Sequence, residues 1–309
     1  MVVRACVHHS PEIGLMMVIE GGRRGRPEFT AARGWIMATG RELVEEVEST
    51  RLAGGQAAYW WLGQHGFVMK FGDAVCYVDA FLSPFPDRQV PPLMRPEEAT
   101  NADLILGSHD HADHIDRDAW PAMAEASPRA KFVVPALLRE RVVREVGLPD
   151  DRVLGLDVDR PVEVAGVRVL GVPAAHEFLD VDPATGLHPY LGFVFEASGL
   201  CVYHAGDTCV YEGMQSILRR WSFDAAFLPI NGRDARRLAA DCIGNMTYQE
   251  AVDLAGALRP RLVVPTHFEM FAMNSEDPRL FEDYLRVKYP GVVAKVPRHG
   301  ERVVVDRGE

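Results

Sequence analysis

The chain has no CxxC pair, no low-complexity linker and no apolar run of the roughly 20 residues that a bilayer-spanning helix needs. Its five cysteines, Cys6, Cys76, Cys201, Cys209 and Cys242, are odd in number and scattered. Cys76 and Cys201 lie in apolar, strand-like runs, where a reduced thiol packs as a small hydrophobe, so a reducing cytoplasm is the expected compartment. The short apolar stretch Ile13 to Ile19 precedes Arg23, Arg24 and Arg26, whereas an export signal carries its charges in front, so neither export nor a membrane partner is expected. Positive charge is also in deficit: the net charge is -11, and because residues 1–36 carry +2 from five Arg and three acids, the remainder carries -13. Such an acidic body excludes a protein that grips nucleic acid through its phosphates. A small-molecule substrate remains, and it can be anionic if metal ions make the site locally positive.

At 309 residues the chain can bury a large core. Residues 1–36 have little periodicity and read as a poorly ordered extension, or as sequence upstream of a natural start at Met37; residues 37–309 read as a single domain. Helical patterning is expected over 41–51, 116–126, 136–146, 210–220, 247–258 and 277–288, with Thr247 and Glu250 forming a capping box. Strands are expected at 58–62, 67–71, 74–79, 103–107, 131–134, 162–164, 167–170, 191–196, 200–204, 225–230, 261–265, 292–296 and 302–305. Two β-rich halves, each with helices, suggest two sheets packed face to face between helical layers.

Three of the chain's 11 histidines fall within six positions, in Ser108-His109-Asp110-His111-Ala112-Asp113-His114, directly after an apolar strand. In extended backbone His109 and His111 point to one side. Asp113 and His114 sit where the chain turns and can face a second ion. Imidazole with carboxylate suits Zn, Mn and Fe. His8, His9 and His299 are expected at the surface, His65 in an ordinary glycine-flanked turn and His188 in a loop.

The HxHxDH pattern resembles the signature of the metallo-β-lactamase superfamily, and further motifs recur in order over about residues 58–305. The resemblance implies an αββα sandwich with a dinuclear centre at one edge. It implies that His109, His111 and His176 hold one divalent ion, that Asp113, His114 and His267 hold another, and that Asp207 bridges them. Asp79 would brace the metal loop, with His204 close behind. The opening Trp60-Trp61-Leu62-Gly63, the run Ser108–Asp116 and the block Pro229-Ile230-Asn231-Gly232-Arg233-Asp234 are similar to the L-ascorbate-6-phosphate lactonase group, as are Gly244-Asn245-Met246-Thr247 and Met270-Phe271-Ala272-Met273-Asn274. Within that group the expectation is hydrolysis of a small anionic lactone, with zinc or manganese, Asp113 orienting the attacking water, and Asn231 and Arg233 contacting substrate. Phosphodiester hydrolysis by the same centre and a metal-binding protein without turnover are the alternatives. A homo-oligomer is compatible with the sequence.

Overall fold

The computed structural model describes residues 37–158 and 160–307. The N-terminal extension, with His8, His9 and its arginines, lies outside the described residues.

Helix α1 (Gly40–Ser49) buries Leu43, Val44 and Val47, the apolar side expected from the sequence. The chain then forms strands β1 (Gln56–Gly63), β2 (Gly66–Phe71), β3 (Ala74–Val78), β4 (Leu104–Leu106), β5 (Lys131–Pro135) and β6 (Val153–Leu156), interrupted by α2 (Trp120–Ala126) and α3 (Arg139–Val146). The second half supplies β7 (Val162–Val164), β8 (Val167–Pro173), β9 (Leu191–Ala197), β10 (Leu200–His204), α4 (Met214–Leu218), β11 (Ala225–Pro229), α5 (Ala235–Ala239), α6 (Tyr248–Leu258), β12 (Leu262–Thr266), α7 (Pro278–Lys288) and β13 (Arg302–Asp306).

Two sheets result, ordered β13-β1-β2-β3-β4-β5-β6 and β12-β11-β10-β9-β8-β7. Each is mixed. In the first, β13, β1, β2 and β3 pair antiparallel and β3 to β6 run parallel. In the second, β7 to β10 pair antiparallel and β10 to β12 run parallel. Strand β1 shows why these strands read as unbroken apolar runs. Tyr59 and Trp61 belong to the core between the sheets, while Trp60 and Leu62 join a second core with Leu43, Val47, Trp120 and Met123 under the helices. Both faces are covered, so both residue parities must be apolar. On the other side α4, α6 and α7 bury Met214, Leu218, Val252, Leu254, Phe281 and Leu285 with sheet two. This is the expected αββα sandwich.

Some local expectations fail. Residues 292–296 form no strand; Ala294 makes an isolated bridge to Val263, beside Pro297, which has no amide to extend a ladder. Helix α4 is much shorter than 210–220, because Gly213 adopts φ 86° and the chain turns there before Met214. Helix α2 begins at Trp120, since residues 116–119 form turns in which the Asp116 carboxylate accepts from Leu82 N, Ser83 N and Ala119 N. Strand β6 was not expected: it is four residues long, with Gly155 inside it, and its identity comes from pairing with β5.

Candidate metal centre

The site lies at the C-terminal ends of strands from both sheets, where layered α/β folds place their ligands. Sheet one contributes Asp79 just past β3 and the loop 107–114 after β4. Sheet two contributes His176 after β8, Asp207 after β10 and His267 after β12.

Asp79 organises the first wall. Its Oδ1 accepts from Ser108 N at 2.8 Å; its Oδ2 lies 2.8 Å from both Ser108 Oγ and His114 Nδ1. Holding the His114 Nδ1 proton on a carboxylate leaves Nε2 to face the centre as a lone-pair donor. There it has no hydrogen-bond partner, with Asp207 Oδ1 at 3.5 Å and Asp113 Oδ2 at 3.7 Å. His109 Nδ1 lies 3.0 Å from Ser108 Oγ, and its Nε2 comes within 2.8 Å of His111 Nδ1, so the two rings aim at one point. A short turn, His114 N to His111 O at 3.1 Å and Ile115 N to His111 O at 2.8 Å, brings Asp113 and His114 round beside them. That turn needs Gly107, because a Cβ there would collide with Ile115. Asp110 points away, into ion pairs with Arg117 and Arg141.

The second wall is assembled from three distant segments. Thr208 Oγ1 accepts from Ala175 N at 2.9 Å and donates to Cys209 O at 2.8 Å, while Cys209 N donates to Ala175 O at 2.8 Å. This clamp sets His176 beside Asp207. Gly206, at φ 61°, makes the close approach possible, since a Cβ there would meet Leu191 O. Asp207 Oδ2 lies 3.0 Å from His267 Nε2 and 3.9 Å from His176 Nε2. His267 N donates to Gln64 O at 2.8 Å, tying the last ligand loop to the β1–β2 turn. Asp79 and His267 hold positive φ, 45° and 62°, a strained conformation for non-glycine residues that tends to cluster at functional sites.

Among the described residues four groups form in which the ligand atoms all lie within 4.8 Å of one another: three make up the cluster, namely His109, His111 and His176; Asp113, His114 and His267; and His109, His114 and Asp207; the fourth, His65, Asp79 and His204, lies behind Asp79. Burial holds His109, His111 and His176 in the neutral form a cation requires, with His176 pushed down to about 3. His114 and His267 are raised despite burial because Asp207 lies against them, and the same two rings hold the buried Asp207 carboxyl well below its usual range. The donor set fits divalent cations: His114 Nε2 and Asp207 Oδ1 are buried without any hydrogen-bond partner, which is costly for polar groups unless something else engages them.

Other expected positions fall out differently. Asn231 is fully buried just past β11; its Nδ2 donates to Asn274 Oδ1 at 2.6 Å and its Oδ1 has no partner. Arg233 is not a free fork: both terminal nitrogens bind Glu250, at 2.6 and 2.7 Å, and one also donates to Asn245 O. His204 is buried behind Asp79, with Nδ1 4.0 Å from Oδ2 and Nε2 donating to His65 O at 2.9 Å. His188 pairs with Asp157 through Nδ1 at 2.8 Å. His65 lies in the glycine-flanked β1–β2 turn, as expected, but fully buried against His204, ring centroids 4.0 Å apart. One reading is corrected. His299 is not at the surface; it is buried and stacks on Trp61 at 4.2 Å. Gln64 was missed altogether. Its only sequence signal is its position in the β1–β2 turn between Gly63 and Gly66.

The fold and this cluster together define a metal-dependent hydrolase of metallo-β-lactamase architecture. A family model described as "Beta-lactamase superfamily domain" matches residues 76–268, which includes every ligand candidate, and the chain belongs to that superfamily. Within it, the chain is 30% identical over 239 residues to a UPF0173 metal-dependent hydrolase from Pyrococcus abyssi, covering 76% of this chain and 95% of that one. The fold is also similar to Igni18, a metallo hydrolase from the archaeon Ignicoccus hospitalis, with a TM-score of 0.65 and 22% identity over 82% of this chain and all of that one. CmlA, a diiron β-hydroxylase from Streptomyces venezuelae, shares the fold at a TM-score of 0.61 and 16% identity, over 81% of this chain and 54% of that one. One architecture thus carries different reactions, and the substrate must be argued from the site. Among the described residues, no helix is long and apolar enough to cross a membrane.

Proposed function

We propose that this hydrolase opens a small lactone or ester, adding water across the acyl–oxygen bond to give a carboxylate and an alcohol, which in a lactone stay joined as one hydroxy acid. The observation that supports it is the convergence of three imidazole and carboxylate groups around buried, unpartnered donor atoms. His109, His111 and His176 would hold one divalent ion, zinc or manganese; Asp113, His114 and His267 would hold a second, with Asp207 between them. The chemistry such ions supply when bound is Lewis-acid charge for the acyl oxygen and a lowered pKa for water.

The protein's own groups do the rest. Asp113 is part-exposed at the rim of the cluster, with side-chain accessibility of 17% against 5% or less for His114 and Asp207. It is therefore the carboxylate best placed to orient an incoming water and accept its proton. Asp79, through His114 and Ser108, keeps the first wall fixed while charge develops on the substrate. The free Oδ1 of Asn231 can accept from a substrate hydroxyl. An anionic substituent would be read by Arg233, whose pair with Glu250 is partly exposed and open to competition by another carboxylate or a phosphate.

The test is a panel of neutral and anionic lactones and esters beside bis-p-nitrophenyl phosphate, run on metal-loaded protein of known metal content. Turnover of lactones is expected. Turnover of the phosphodiester alone would replace this reading with phosphodiester hydrolysis, and full metal loading with no turnover at all would leave a metal-binding protein. Arg233→Ala is expected to raise KM for anionic substrates about tenfold more than for neutral ones, and an equal effect on both would remove Arg233 from the substrate site.

A further inference from the structure

Gln64 lies outside the histidine and aspartate set, yet it touches that set at two points. Its side chain is fully buried. Its Nε2 lies 3.2 Å from Asp113 Oδ2 and 3.2 Å from His267 Nε2. Its backbone carbonyl accepts from His267 N at 2.8 Å and from Trp61 Nε1 at 3.1 Å. Its φ of 54° is a conformation that side-chain-bearing residues rarely adopt. Strand β1 thus delivers, through one strained residue, a carboxamide between Asp113 of the first wall and His267 of the second.

The orientation of that carboxamide is decided by its neighbours. Reversing it would put Oε1 against the Asp113 carboxylate, two acceptors with no proton between them. Nε2 must therefore face Asp113 and donate to it. His267 Nε2 also lies 3.0 Å from Asp207 Oδ2, so the hold of Gln64 on His267 is the backbone one, its carbonyl accepting from His267 N at 2.8 Å. The other end, Oε1, has no partner among the described residues. A buried amide that only filled space would satisfy both its ends or be replaced by an apolar side chain, because an unmet buried acceptor costs about 1–3 kcal/mol.

We propose that Gln64 is a positioning residue of the hydrolytic site: its carboxamide donates to Asp113 and its carbonyl accepts from His267 N, which holds both in register across the seam between the two sheets and aimed at the same centre. This rests on the ligand assignment above. The expected consequence of losing the donor is that of losing a supporting group behind a metal ligand, about 10- to 100-fold in metal affinity or turnover, without loss of fold.

The experiment compares full-length wild type, Gln64→Leu and the isosteric Gln64→Glu. Thermal melts of the metal-free proteins, cobalt(II) titrations followed by visible absorption, and kcat and KM on the best substrate of the panel are the readouts. The proposal expects Gln64→Leu to melt near wild type, to shift the cobalt absorption bands, and to lose about 10- to 100-fold in kcat with KM within about twofold. Gln64→Glu keeps the shape but sets a carboxylate against Asp113, so it is expected to lose kcat and alter the cobalt spectrum even if Gln64→Leu does not fold. Wild-type spectra and kcat in the folded variants would overturn the proposal. Absence of cobalt bands in wild type would instead overturn the metal centre itself, which keeps the two failures apart.

Discussion

The two walls of the site are built in opposite ways. On sheet one a single loop of eight residues, 107–114, carries four ligand candidates, and one carboxylate, Asp79, fixes Ser108 and His114 together. On sheet two His176, Asp207 and His267 arrive singly from the ends of β8, β10 and β12, held by the Thr208 hydroxyl clamp and by the carbonyl of Gln64. The first wall is local chain geometry with one brace behind it; the second is a product of sheet register. A local wall concentrates its dependence on a few contacts, whereas a register-built wall spreads it over the packing of a whole sheet.

Perturbations should separate the walls, and the largest effect belongs where they meet. Asp207 faces His114 of the first wall and His267 of the second, so Asp207→Ala is expected to lower turnover more than about 100-fold and to reduce bound metal, measured by elemental analysis. A variant that keeps wild-type metal content and rate would break the idea of a shared carboxylate. Next comes the brace of the first wall. Asp79→Asn keeps the shape but loses the charge that holds the His114 Nδ1 proton, and about 10- to 100-fold in metal affinity should go with it. Chelator competition reads this directly; affinity within twofold of wild type would mean that the loop needs no brace. The smallest effect is expected from loosening the second wall. Thr208→Val strands Ala175 N and should cost about 1–3 kcal/mol in urea unfolding, with turnover reduced only severalfold. A loss of turnover as deep as that of Asp79→Asn would show the second wall to be as dependent on single contacts as the first.

The same contrast explains what could be read in advance. The 109–114 cluster was legible because its ligands are neighbours in sequence. His176, Asp207 and His267 were identifiable only through their order in a known pattern, since each alone is an unremarkable residue after an apolar strand. Gln64, His65 and His299 carried no usable signal. Nothing local distinguishes a glutamine or histidine in a glycine-flanked turn from one driven into the interior, and His299 is buried because Trp61 offers it a face. Arg233 shows the reverse case. Its charge suggested a free anion reader, but Glu250, 17 residues on, folds back as the capping residue of α6 and occupies the fork. Strand expectations held even at the partly exposed edge strands β7 and β13 and failed at 292–296, where the segment makes only an isolated bridge to β12.

The sequence by itself determined the layered α/β character, the position of the first wall and the kind of donor available, because those follow from period, glycine placement and side-chain chemistry within a few residues. Only the tertiary structure decided how the distant carboxylate and imidazoles meet the first wall, which polar atoms are left buried without partners, and which arginine is already engaged. Those outcomes depend on the register of two sheets against each other, and contacts between residues 60 to 200 positions apart leave no trace in local pattern.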